Sequence, residues 1–461
     1  MLLTYQDYIA DTSTAEEFVS RAISRYQSSE MYKTACIADD YDRQRNKTIC
    51  EFNRMIYRLN GSQAVDTASS NNRIASNFFR RLNTQRCAYS LGNGVDFSDT
   101  AVKEKFKEKF DTVLYFAGYD ALIHGVSYLF IGDKQLYEFK ATEFMPLWDE
   151  LTGELRAGIR FWRLAPDKPL IAVLYEEDGY TKFSEITEDG DKKSLFVLED
   201  KKSYIQKIQK TAAFGEEVIG ESNYVSLPIV PLWGSRLKQS TLVGMRAAID
   251  GYDIVRSGFA NDLQDCAQIY WLVENYGGMQ DDDLRKFLDR LKLNHVVSAN
   301  TADGGRITPY TQEIPHTARK TFLDDIRAGI YEDFGGLDVH TIAAGATNDH
   351  IDAAYQPLDE NADDFEMQII ECVQKIGGIL GIAPEDCVPI FKRNRISNQL
   401  EQMQILTMAA QWLDEETIIG KIPCITVDEV SKILERKAAE DAERVPLSVD
   451  AENDDINGEA V

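Results

Sequence analysis

Apolar residues recur at Leu242, Met245, Ile249, Tyr252, Val255, Phe259, Leu263 and Cys266. Steps of three and four place them along one face of a helix, roughly 37 Å long at 1.5 Å per residue. Asp250, Asp253, Arg256, Asp262 and Asp265 fall on the other faces, so the segment is amphipathic and unsuited to a bilayer. A second helix of this character is expected over 317–334, with Ala318, Phe322, Ile326, Ile330 and Phe334 at steps of four and Gly335-Gly336 as its stop. The pair reads as two struts of one stalk. Between them, 267–316 reads as a small α/β module: strands over 269–273, 295–299 and 306–311, and a helix over 280–293. A module of about fifty residues buries too little surface to stand alone, so neighbouring copies are expected to complete it.

Elsewhere the periods alternate between helix and strand. Ser13 and Glu16 form a capping-box pair ahead of Phe18, Val19, Ala22, Ile23 and Tyr26. The stretch to about Ser70 is mixed and polar, open to short strands or turns. A helix is expected over 71–89, ending at Gly92 and Gly94. A charged helix follows over 102–110 and an apolar one over 112–125, whose His124 reads as a core or turn histidine. From 127 to 231 the pattern has period two in several runs, with hairpin signals at Asp178-Gly179 and Asp189-Gly190. This is an antiparallel meander, closed by Pro228 and Pro231 in an edge strand or extended linker. After the second strut, 337–356 reads as a long polar loop. A third long helix is expected beyond Pro357, carrying Phe365, Ile369, Cys372, Ile376 and Leu380, then helices over 400–413 and 427–442 and a disordered end.

Charge narrows the function. Fifty basic against 76 acidic residues give a formal net charge of −26, which opposes tight non-specific binding to nucleic acid yet suits a wall past which a duplex slides. From Glu440 onward there are eight acids and one base. The seven cysteines show no C-x-x-C spacing, so free thiols in a reducing compartment are expected. Asp7 and Asp11 interrupt the first residues before any long apolar run, and no run of eighteen apolar residues occurs. A soluble, intracellular protein without signal peptide or membrane partner is therefore expected.

No phosphate-binding loop, nucleophile elbow, zincin helix or calcium loop is present. The best candidate site is the loop with Asp338, His340, Asn348, Asp349, His350 and Asp352. It could hold a divalent metal, but metal sites sit on rigid supported elements, so a polar loop facing solvent or a channel is the reading adopted. Asp281, Asp282 and Asp283 open the small module's helix, where acids favour the dipole. Tyr270, Trp271 and Tyr276 lack interleaved bases and read as packing or subunit contacts rather than base-stacking groups.

The order of these pieces is familiar. NNRIASNFF, CAYSLGNGVDF, FAGYDALIHGVSYLFI, PLWDELTGELRAGIRFW, FKRNRISNQLEQMQILTMAAQWLDEETIIGKIPCI and, above all, LPIVPLWGSRLKQSTLVGMRAAIDGYDIVRSGFANDLQD resemble the portal (head-to-tail connector) proteins of tailed bacteriophages. In the last segment Ile-Asp-x-Tyr-Asp is followed by Ser and by Asn-Asp. The resemblance covers about 71 to 437. It implies an α+β portal-like subunit: a wing over 1–231, a first stem helix over 232–266, a clip over 267–316 and a second stem helix over 317–336. A tunnel loop would follow over 337–356, a long wing helix and connector over 357–397, a helical crown over 398–442 and an acidic tail over 443–461. It also implies a non-enzymatic twelvefold ring at one capsid vertex, without cofactor. Double-stranded DNA would pass through the ring. The terminase large subunit, the head–tail adaptor, and the major capsid and scaffolding proteins would be its partners, in the virion and, during assembly, in the host cytoplasm. Asp338, His340, Thr341, Asn348, Asp349 and His350 would line the channel. Tyr270, Trp271, Asp281, Asp282, Asp283 and Arg285 would serve docking or inter-subunit contact. The competing classes are an intracellular capsid-associated adaptor or scaffold and a metal-dependent hydrolase using Asp338, His340, His350 and Asp352.

Overall fold

The computed structural model describes residues 2–58, 60–67, 69–106, 109–132, 135–187, 193–211, 215–265, 270–274, 306–310, 315–339, 347–395, 399–409 and 415–420, with single positions at 282, 285, 286, 412, 433 and 436. The chain divides into two units, Met1–Leu337 with Pro357–Asn394, and Asp338–Gln356 with Arg395–Val461. Helix and antiparallel sheet are mixed throughout, consistent with the α+β expectation.

The first unit opens with α1 (Tyr5–Ala10), α2 (Ala15–Gln27), α3 (Glu30–Asp42) and α4 (Lys47–Cys50). The cap of α2 is Thr14, whose hydroxyl accepts from Glu17 N, one residue later than the expected Ser13 pair. The mixed stretch also holds α3, whose buried positions are only Ala35, Ala38 and Tyr41. Two small residues and a tyrosine make too faint a stripe to stand out. A hairpin of β1 (Met55–Tyr57) and β2 (Gln63–Val65) precedes α5 (Phe78–Leu91), β3 (Val95–Asp96), α6 (Thr100–Phe106) and α7 (Phe110–His124). Gly125 ends α7 at φ +93°, and a Cβ there would lie 2.7 Å from the Gln239 carbonyl carbon, so glycine is required twice over.

The meander follows: β4 (Val126–Gly132), β5 (Gln135–Lys140), β6 (Phe144–Trp148), β7 (Leu155–Trp162), β8 (Ile171–Glu176), β9 (Gly179–Thr187), β10 (Lys193–Lys202), β11 (Ile205–Thr211), β12 (Gly215–Ser222) and β13 (Ile229–Trp233). Strands β10-β9-β8-β7-β6 form one antiparallel sheet, β13-β4-β5 a second with β13 at its edge, and β11-β12 a separate hairpin. The larger sheet is covered on both faces rather than half-buried. On β8, Ala172 and Leu174 pack with Phe18, Val19, Ala22, Ile23 and Tyr26 of α2. Val173 and Tyr175, pointing the other way, pack with Tyr128, Phe139 and Ile229 of the second sheet. A third cluster joins α5, α6 and α7 to Phe365, Ile369, Cys372, Val373 and Ile376.

The long helices are α8 (Leu242–Asp265) and α9 (His316–Phe334), with the antiparallel strands β14 (Tyr270–Glu274) and β15 (Arg306–Tyr310) between them in sequence. Then come α10 (Asn348–Ile379), β16 (Ile390–Phe391) paired with β3, α11 (Gln399–Ala409) and α12 (Glu415–Gly420). Two expectations change here. Residues 71–77 form neither helix nor strand, and α5 starts only at Phe78. Residues 348–356 belong to α10 rather than to a polar loop, and the helix runs through Pro357 for 32 residues. Proline forfeits one helical hydrogen bond, but buried Ile351, Tyr355 and Leu358 extend the apolar face across it. In the second unit Arg395 lies 3.1 Å from Asp352. The expected helix over 427–442 and the acidic end lie outside the described residues, Ile433 and Arg436 excepted. Cys36, Cys50, Cys87, Cys372 and Cys387 are free thiols.

Candidate functional site: the paired long helices

Helix α8 is 24 residues long, about 36 Å, and its buried face changes chemistry midway. Leu242, Met245 and Ile249 pack with Phe78, Phe79 and Leu82 of α5 and with Ile330, Tyr331 and Phe334 of α9. Beyond them the inward positions are Asp253, Ser257 and Asn261, all buried, while Ile254 and Leu263 are exposed. The expected apolar stripe is fully buried only as far as Ile249: Tyr252 still packs edge-on against Phe78, Val255 and Phe259 are half-buried, and Leu263 is exposed.

The polar half is occupied by backbone. Ser76 N donates to Asp253 Oδ1 at 2.8 Å, Ile74 N to Ser257 Oγ at 3.0 Å and Asn72 N to Asn261 Oδ1 at 2.6 Å. Ser70 N donates to Asp265 Oδ1 at 3.2 Å. Four alternate amides of one non-helical segment thus meet four acceptors spaced every fourth residue along a helix, running the opposite way. The match is metric: two residues of strand advance about 6.6 Å and four of helix about 6.0 Å. Side chains close the ends. Asn46 Nδ2 donates to both Asp253 Oδ2 and Ser76 O, and Arg54 Nη1 lies 2.8 Å from Asp265 Oδ2. Tyr41 and Thr48 hydroxyls donate to the two oxygens of Asp250. This ladder fits the absence of helix over 71–77: the amides of Asn72, Ile74 and Ser76 bond to α8 rather than to carbonyls of their own segment.

Burial pushes the Asp253 carboxyl above the usual carboxylate range, partly offset by the donors Asn46 and Ser76. Asp265 is held below that range, first by Ser70 and then by Arg54. Burial likewise raises the Tyr41 phenol, helped by its bond to Asp250. His124 is buried with Nε2 2.8 Å from Asp39 Oδ1, a core histidine as expected.

Near the C-terminal end of α8, Arg319 of α9 pairs with Asp262 of α8, while Phe322 and Leu263 remain exposed. Tyr270 registers with Tyr310 and Trp271 with Pro309. Asp282 and Arg285 are helical and exposed; Asp281 and Asp283 lie outside the described residues. So do His340 and Thr341. Asn348, Asp349 and His350 form the first turn of α10, the latter two exposed, and Asp338 lies in the short segment after α9. Among the described residues no group of three or more His, Cys, Asp or Glu could hold a metal ion, and Asp352, the fourth residue of the hydrolase reading, is paired with Arg395. The Asp253–Ser257–Asn261 ladder escaped sequence reasoning. Its signal was there, three small polar residues at steps of four, but that spacing also marks a solvated face.

The model of the family described as "Phage portal protein, SPP1 Gp6-like" matches residues 38–443. The chain is 30% identical over 230 residues to the portal protein of Clostridium phage phiCD119, a match covering 48% of this chain and 51% of that relative's length. It is 23% identical over 403 residues to the portal protein of Bacillus phage SPP1, covering 81% of this chain and 77% of that one. With a match from before α4 to beyond α12, this chain belongs to the phage portal protein family of the SPP1 Gp6-like type.

Proposed function

We propose that copies of this chain close into a twelvefold ring at one capsid vertex. Double-stranded DNA would enter and leave through its channel, and the terminase motor and then head–tail adaptors would dock on it. The observation that carries this reading is the family match over 38–443, borne by a chain in which two long helices bracket a strand pair too small to fold alone. Twelve identical heterologous contacts closing on themselves would give that strand pair neighbours. In this reading α8 and α9 are the stem, the segment around β14 and β15 the clip that meets the motor and adaptor, and residues 338–347 with the first turn of α10 the tunnel loop. The wing is built on the two sheets, and α11 and α12 belong to the crown. The role is structural, with packaging energy supplied by a separate motor. A net charge of −26 keeps the channel from gripping the duplex. No helix among the described residues is long and apolar enough to cross a membrane.

Native mass spectrometry tests this directly. A closed species of twelve 52.2 kDa chains, with a central channel in negative-stain images, is expected. A chain that stays monomeric at every concentration, or a compact particle with no channel, overturns it.

A further inference from the structure

In so acidic a chain, one small region is basic. Arg43 and Arg45 are exposed on the connection between α3 and α4, Lys47 is exposed at the start of α4, and Arg80 is exposed in the first turn of α5. The region is contiguous. Gln44 Nε2 donates to Ala75 O and Asn46 Nδ2 to Ser76 O, just before α5 starts. None of the four cations has an ion-pair partner among the described residues. Of the neighbouring acids, Asp39 and Asp42 are turned to His124 and Tyr119, Asp39 also feels the charge of Arg43, and Asp40 is half-buried.

An equally clear negative strip lies on α9, where Asp324, Asp325, Glu332 and Asp333 are all exposed. At 100° per residue Asp325 and Glu332 fall opposite Ile330 and Phe334, which are buried against the α5–α8 side, while Asp324 and Asp333 flank that arc on either side. Arg86 of α5 stacks 4.5 Å from the Phe334 ring. So α5, with the basic region, lies toward one side of α9, and Asp325 and Glu332 point away from it with Asp324 and Asp333 on the flanks.

We propose that these are the two halves of one heterologous contact: the basic region of one copy docks on the acidic strip of α9 in the next. This rests on the ring reading above and gives it a contact. Opposite charges on different sides of one subunit can repeat head to tail, and they steer and register copies while opposing wrong pairings. The occupant is a second copy because the complementary surface is on this chain.

Charge swaps test it. One variant carries Arg43→Glu, Arg45→Glu and Arg80→Glu; the other carries Asp325→Lys, Glu332→Lys and Asp333→Lys. All replaced side chains are exposed, and unchanged urea midpoints of the dilute chains verify folding. Each variant alone should lose ring by about tenfold or more at low salt, as read by native mass. An equimolar mixture should recover closed rings of alternating subunits, and both sets in one chain should recover them too. If wild type forms rings and either variant does so equally well, or if the mixture fails to recover, the contact is wrong while the ring reading stands. If wild type forms no ring, the ring reading itself fails. If the basic swap abolishes retention of duplex DNA and leaves ring mass unchanged, the region is a phosphate contact and the proposal is overturned.

Discussion

The two halves of α8 solve the same packing problem with different chemistry. From Leu242 to Ile249 the helix buries hydrocarbon among α5 and α9 side chains; from Asp253 to Asp265 it presents oxygens to the amides of 70–76. Hydrocarbon packing is non-directional and tolerates small adjustments of the helix. The ladder is directional: a slip of one residue would put Asp253, Ser257 and Asn261 opposite carbonyls or nothing. The apolar half therefore supplies strength and the polar half fixes register. In the proposed ring, where α8 would be a stem helix repeated in every copy, both would be needed. The residues behind the portal resemblance, Ile249, Asp250, Tyr252, Asp253, Ser257 and Asn261, are the ones at this change of chemistry.

The largest effect is expected where the two halves meet. Ile249 is fully buried, and Ile249→Ala should cost about 2–5 kcal/mol through lost transfer energy and a cavity, read from urea denaturation of the dilute chain. A cost below 1 kcal/mol would show that α8 is held mainly by its ladder.

Next is Asp253→Ala, which strands Ser76 N and Asn46 Nδ2 in a buried site. The expected cost is about 1–3 kcal/mol per unsatisfied donor, with faster amide exchange over 70–76 as the local signature. Asp253→Asn keeps one acceptor and should recover part of the loss. If Asp253→Ala leaves exchange over 70–76 unchanged, the register role assigned to this half is wrong.

The two acids that end the ladder should titrate with opposite sign. Asp253 has a raised pKa in the fold, so the native state holds its proton more tightly than the unfolded chain does. Its contribution then falls as pH rises from the unfolded carboxylate value, about 3.9, through the folded one. Asp265 is depressed, so its contribution is present above about 3.9 and is lost as pH falls through its folded value. Stability curves between roughly pH 2 and 6, the range bracketing those values, should show it. Subtracting Asp253→Asn from wild type should give a difference that declines with pH, and subtracting Asp265→Asn one that rises. Two differences of the same slope would contradict the assignment.

What could be read beforehand follows from the same contrast. Both long helices, the meander, the small strand pair and the α7 histidine were legible because hydrocarbon periodicity encodes what faces a core. The ladder was not, because Asp253, Ser257 and Asn261 have the same pattern whether they face water or a segment that comes from 177 to 189 residues earlier. The non-helical state of 70–76 was hidden for the same reason: the acceptors that hold its amides lie on a helix far away in sequence, although its asparagines and serines favour caps and turns over helix interiors. Asn348 to Gln356 was misjudged because Pro357 outweighed the faint apolar face of Ile351, Tyr355 and Leu358. The cap of α2 moved by one residue because Ser13 and Thr14 are chemically alike.

The smallest effect separates the expected stripe from the observed one. Leu263 continues the apolar steps of α8, yet it is 55% exposed, so Leu263→Asn should change the stability of the dilute chain by no more than about 0.5 kcal/mol. Ile249→Asn, at the same helical period, should unfold it. If the two prove equally damaging, the stripe runs unbroken to the end of α8 and the ladder is a secondary contact. If Leu263→Asn leaves the dilute chain intact but lowers ring yield, that leucine is covered by the neighbouring copy. A side chain of α8 would then carry packing information that a single copy does not use.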